Sequence, residues 1–204
     1  MKNALDDALL LQGVEQLISQ DDDLRAIVAR HGPPPLWARE PGFPTLIHII
    51  LEQQVSLASA RAAFDRLCAC ANPLTPARFL ELTDQELKTA GFSRQKSAYG
   101  RGLAQAVLEQ RIDLDGLQVL DDDEVQRQLT SLRGIGAWTA NIYLLMALRR
   151  PDIWPMHDLA LASAAQRVKR LDQRPTPDQL QQMAEAWRPL RAVAARLLWH
   201  EYLS

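Results

Sequence analysis

A chain of 204 residues, 47% of them hydrophobic, can build one sizeable core or two small lobes and is too short for several independent domains. Its two cysteines, Cys68 and Cys70, exclude a disulfide framework and a four-cysteine metal cluster, and no run approaches the roughly 20 apolar residues a membrane-spanning helix needs. The formal net charge of −2 sets it apart from uniformly basic nucleic-acid binders, and the acidic start MKNALDDALL is unlike a secretory signal, so a soluble protein of the reduced cytoplasm is expected.

In chain order the signals are all helical: Ala, Leu, Gln, Arg and Glu dominate, alternating β-branched runs are absent, and Pro or Gly punctuates the pattern. A first helix is predicted over 4–31, interrupted near Ser19–Asp21 and closed by Gly32 before Pro33, Pro34 and Pro35. An apolar helix starts near Pro44 and runs through LIHIILEQQ, and Ser56 caps the next, LASARAAFDRLCAC. Thr75 opens a helix; Thr83 with Glu86 spells a capping box for a short one closed by Gly91. Ser93 opens a helix reaching about Gln110, and Asp121–Asp123 place negative charge at the start of one through Thr130. After LRGIG comes AWTANIYLLMALRR, a strongly apolar helix stopped by Pro151. Asp158 begins LALASAAQRVKR, Thr176 and Pro177 open another helix, and a last one runs from about Pro189 to Tyr202.

Charge is unevenly spread. Residues 1–24 sum to −5, whereas 88–111 and 133–170 sum to +4 each. Taken alone, such stretches read as solvated helix faces. At the start of the second basic stretch, however, Leu132-Arg133-Gly134-Ile135-Gly136 joins helix to helix at 122–149. Two glycines around one inward-packing aliphatic residue allow a tight left-handed turn whose backbone N–H groups point outward, which can hold a phosphate without a lysine. The competing reading is an ordinary C-cap and connector. No Asp or Glu lies between Arg133 and Arg150, which favours a DNA-binding hairpin.

These residues resemble the helix-hairpin-helix (HhH-GPD) superfamily of base-excision DNA glycosylases, in its 3-methyladenine glycosylase II branch. LRGIGAWTANIYLLMAL resembles the family's hairpin and following helix, and Asp158 in PMHDLAL falls where the family carries its essential aspartate. LEQQVSLASA, GFSRQKSAYGRGLAQAV and WRPLRAVAARLLWHEYL resemble the junction at the DNA minor groove, the segment before the hairpin and the closing helix, so the likeness spans about 44–203. It implies one all-α glycosylase domain over 1–204 with a DNA-binding cleft between two helical lobes, a central lobe of 43–150 and a second of 1–42 plus 151–204.

The resemblance also implies roles. Asp158 is the catalytic carboxylate, although by itself it reads as the N-cap of LALASAAQ. Trp199 and Trp138, with Tyr143 and His157 as further candidates, form a base pocket; the alternative for each tryptophan is core packing. Gln54 or Gln53 is the wedge that fills the gap left by a flipped base, and Arg133, Gly134, Ile135, Gly136 and Thr139 hold the DNA backbone. The carbonyls of Leu132 and Ile135 can take a monovalent cation. Trp138 stands where bifunctional members have a Schiff-base lysine, so hydrolysis without a lyase step is expected, and the four cysteines of an iron–sulfur cluster are missing. The implied partner is double-stranded DNA with a damaged, alkylated base, met by a monomer with no required cofactor. A glycosylase for a deaminated, oxidised or mismatched base, and a non-catalytic hairpin module, are the alternatives.

Overall fold

The computed structural model describes residues 4–204, and among them every regular element is a helix. They divide into two compact units: the described residues up to Ala38 together with Leu144–Ser204, and Arg39–Tyr143.

The Arg39–Tyr143 unit is built on α3, Phe43–Glu52, once α1 (Asp7–Gln20) and α2 (Asp22–His31) have passed in the other unit. Phe43, Leu46, Ile47, Ile49, Ile50 and Leu51 of α3 are all buried, which makes it the core helix of its unit; each such side chain stabilises the fold by about 1.5–3 kcal/mol. On it pack α4 (Leu57–Cys70) and α7 (Arg94–Leu108), with α5 (Pro76–Glu81) and α6 (Asp84–Ala90) against α7 and α8 (Asp122–Thr130) later in the same unit. Local chemistry sets their starts: Ser56, Thr75, Thr83, Ser93 and Asp121 each accept an N–H of the first turn. Thr83 and Glu86 make both bonds of the expected capping box. Gly100 of α7 lies against the Phe79 ring, where an added Cβ would stand 2.5 Å from the ring edge, so only glycine lets α7 and α5 meet at this depth.

The other unit is organised by α12, Arg191–Leu203, in which every residue from Ala192 to Trp199 is buried. A helix apolar on all sides is a central helix, and its alanines let α1, α2 and α10 (Leu159–Val168) close on it. Gly13 of α1 sits where a Cβ would be 3.1 Å from Val193. α11, Pro177–Ala184, begins with a second capping box between Thr176 and Gln179.

Arg196 is the exception within α12. Fully buried, it donates to the carbonyls of Leu36 (2.9 Å), Ala192 (3.0 Å) and Leu145 (2.8 Å), and burial pushes its guanidinium down to about 10, still charged at neutral pH.

Where limits of 43 and 150 were expected for the central lobe, the compact unit runs from 39 to 143. Arg39 makes a two-point pair with Glu52 of α3 (2.6 and 3.1 Å), which draws 39–42 into that unit. α9, Ala137–Met146, crosses the second limit because the Leu145 carbonyl is taken by Arg196. α9 also stops before the expected Arg150: Arg149 turns left-handed (φ 54) and the Arg150 N–H closes on the Leu144 carbonyl at 3.0 Å. No helix among the described residues is long and apolar enough to cross a membrane.

Candidate functional site

Each unit holds one group of the candidate residues. In the Arg39–Tyr143 unit, α8 and α9 are joined by a turn that closes through Leu132 N–H to Leu129 O (3.1 Å) and Ile135 N–H to Leu132 O (3.1 Å). Leu132 and Ile135 point inward and are buried, while Arg133 and Gly136 are exposed. Gly134 alone carries the left-handed backbone, φ 91, and its α-carbon lies on the Tyr99 ring of α7 so closely that a Cβ would fall 2.1 Å from the ring. Gly136 has an ordinary backbone and open space where a Cβ would go, so the two glycines are not equivalent as their spacing suggests. The N-terminus of α9 puts the positive end of the helix dipole at the turn.

Three expected residues take other places. Thr139 is 2% exposed, and its hydroxyl accepts a hydrogen bond from Gln53 at 2.9 Å, so its side chain braces the turn from inside rather than holding a phosphate. Gln53 points inward, also donating to the Gly134 carbonyl at 2.9 Å, which removes it as a wedge. Tyr143 is fully buried: its hydroxyl accepts the Gly42 N–H at 2.9 Å, and burial pushes it up to about 12, so it presents no face to a base. Gln54 is exposed and left-handed at φ 58, and Val55 and Leu57 beside it are exposed too. A non-glycine residue there is strained, a feature that clusters at functional loops. Trp138 is half-buried in the first turn of α9.

The second group surrounds Asp158. It is the N-cap of α10, 8% exposed, and its Oδ1 accepts from Leu161 N–H at 2.9 Å and from the Trp199 indole N–H at 3.3 Å. The helix end stabilises the carboxylate and both donors fix its direction. On either side of it the surface opens: His157 is exposed with φ 64, and Leu159 is 70% exposed. Trp199 shows 7% of its surface, and its indole N–H orients Asp158.

Trp37 completes this group and was not foreseen from the sequence. Its ring stands edge-on to Trp199, centroids 6.5 Å apart at 70°, and 6.3 Å from the His200 ring. Its backbone is left-handed (φ 48), and Arg196 holds the preceding carbonyl, so a buried cation anchors a strained loop that presents a half-exposed indole. The signals available were an aromatic residue two positions after Pro33–Pro35 and an arginine in the apolar run Ala192–Trp199.

Among the described residues no group of three or more His, Cys, Asp or Glu is placed to hold a metal ion. The neutral carbonyls of Leu132 and Ile135 have the chemistry for a weakly hydrated monovalent cation, although Leu132 O already accepts the Ile135 N–H.

Comparison with known proteins agrees with this geometry. Residues 47–189 match the model of the HhH-GPD superfamily base excision DNA repair proteins. YfjP of Bacillus subtilis is 28% identical over 184 residues, covering 86% of this chain, and the chain spans 64% of that protein's length. DNA-3-methyladenine glycosylase 1 of Schizosaccharomyces pombe is 27% identical over 177 residues, 85% of this chain and 78% of that protein. The solved structure of the S. pombe 3-methyladenine DNA glycosylase Mag1 in complex with abasic DNA superposes with a TM-score of 0.88 at 26% identity, covering 92% of this chain and 95% of that one. An all-helical fold with a Gly-x-Gly hairpin and an aspartate capping a later helix therefore defines a base-excision repair fold. The chain belongs to the HhH-GPD superfamily of base excision DNA repair proteins.

Proposed function

We propose that the protein is a monofunctional DNA glycosylase that turns an alkylated purine out of duplex DNA and hydrolyses its N-glycosidic bond, leaving an abasic site. The observation that carries this reading is Asp158, a carboxylate held by Leu161 N–H and the Trp199 indole at the start of α10, with exposed His157 and Leu159 on either side. Breaking the bond builds oxocarbenium-like positive charge on the sugar, and a fixed carboxylate stabilises that state more than the ground state. Water is the nucleophile, because the position of a Schiff-base lysine is occupied by Trp138. An alkylated purine such as 3-methyladenine or 7-methylguanine is cationic and leaves readily once the sugar charge is met. The name of the fission-yeast relative supports the lesion class, and the abasic DNA bound to Mag1 supports the partner.

The remaining roles follow the two groups. The α9 amides, Gly134 and exposed Arg133 hold the DNA backbone, Gln54 enters the gap in the stack, and a monovalent cation on Leu132 and Ile135 carbonyls steadies the turn. Trp37 and Trp199 select the base, with His157 at its margin. A monomer needing no other cofactor, working in the compartment that holds DNA, completes the reading. The test is base release from duplexes carrying alkylated, deaminated or oxidised bases. No release from any of them overturns the enzyme reading, and release of only the neutral lesions moves the substrate class.

Selection by Trp37 has its own test. A cation over an indole gains about 1–2 kcal/mol in a desolvated site, so Trp37→Ala is expected to lower kcat/KM for 7-methylguanine about 5- to 30-fold more than for neutral hypoxanthine. Trp37→Phe restores most of that difference. Equal losses on both bases would make Trp37 a packing residue.

A further inference from the structure

Gln54 can hold its exposed, left-handed posture only if its neighbours are fixed, and three contacts fix them. On the α3 side Lys96 Nζ donates to the Leu51 carbonyl at 2.7 Å, which ties the last turn of α3 to α7. On the α4 side Ser56 caps the helix through Ser59 N–H at 3.2 Å and meets the Ser59 hydroxyl at 2.9 Å. Between them Gln53 spends both protons of one amide on the hairpin, one on Gly134 O and one on Thr139 Oγ1, each at 2.9 Å. Those acceptors lie 81 and 86 residues away, one in the turn itself and one in the first turn of α9. Lys96 and Ser56 steady the helices, whereas Gln53 alone of the three reaches the hairpin.

We infer that Gln53 is a positioning residue that locks the Gln54 loop to the hairpin, so that the backbone grip and the wedge act on DNA as one rigid part. This rests on the reading of Gln54 as the wedge. Its consequence is kinetic. Grip on a phosphate then fixes where Gln54 stands, and extrusion of a paired base draws on that alignment. A base that is already unstacked needs no wedge and does not draw on it.

The test compares Gln53→Glu with wild type on 7-methylguanine placed opposite cytosine and opposite an abasic-site analogue, in single turnover, with 2-aminopurine beside the lesion to report extrusion directly. Glutamate keeps the shape, cannot donate, and sets a charge against the Gly134 carbonyl. Release and the fluorescence change for the paired lesion are expected to fall at least 10-fold, against less than 3-fold for the unpaired one, with affinity for undamaged duplex little changed. Thr139→Val, which removes one of the two acceptors, is expected to shift the same ratio less. Equal losses on both substrates, or losses that track the melting temperature in both variants, overturn the inference. Gln54→Ala separates the two levels of the argument. If it produces the paired-over-unpaired loss and Gln53→Glu does not, the lock fails and the wedge stands; if neither does, the wedge reading fails and the lock with it.

Discussion

Asp158→Asn is expected to lower base release by about 10²- to 10⁴-fold, the range of a lost carboxylate acting on a reacting group, while leaving the melting temperature nearly unchanged. The two halves of this outcome separate the two readings of the residue. As an N-cap, Asn serves as well as Asp, since its amide oxygen can accept the Leu161 N–H and the Trp199 indole N–H. As the group that meets developing positive charge, Asn fails because it is neutral. Asp158→Ala removes both functions and adds a cap loss of about 1 kcal/mol, which is a few degrees of melting temperature for a chain of this size. Affinity for DNA should hold or rise in the Asn variant, because a negative charge facing phosphates is gone. Full release by the Asn variant would return Asp158 to a cap, and a melting loss as large as that of Ala would do the same.

The elements were legible where a few neighbouring residues decide them. Asp158 and Thr83 with Glu86 each make the bond their types and spacing announce, and Thr176 caps the helix it was expected to open. The end of α9 was not, because the apolar run continues past Met146; what ends the helix is Arg149 turning left-handed and Arg196 holding Leu145 from 51 residues away. The same divide runs through the site. Asp158 and the Gly-x-Gly turn could be found from local pattern and family likeness. Gln53, Thr139 and Tyr143 looked available to DNA or base, and each is instead committed to a partner far along the chain. Trp37 was overlooked for the converse reason. Nothing in PPPLW announces that a buried Arg196 will grip the carbonyl beside it.

The second large effect is expected at Gly134, and the hairpin's two glycines supply each other's control. At Gly134 a side chain meets two obstacles, a left-handed backbone (φ 91) and the Tyr99 ring 2.1 Å from the ideal Cβ. Neither exists at Gly136. Gly134→Ala must therefore displace the turn and misdirect the amides at the start of α9. Losing one hydrogen bond of that kind to a charged phosphate costs about 1.5–3 kcal/mol, so affinity for duplex DNA is expected to fall about 10- to 150-fold. The loss should be the same for every sequence, since backbone contacts carry no base information. It should leave the salt dependence of binding intact, because no cation is removed, whereas Arg133→Ala should lower the slope of log affinity against log salt by about 1. Adding Tyr99→Ala to Gly134→Ala relieves the overlap but not the backbone strain, so recovery should be partial. Gly136→Ala should keep its melting temperature and lose less affinity. Equal behaviour of the two alanine variants would mean that the turn holds DNA by its charge and not by its backbone, which would shift the grip to Arg133 and leave Gly134 as a packing residue under Tyr99.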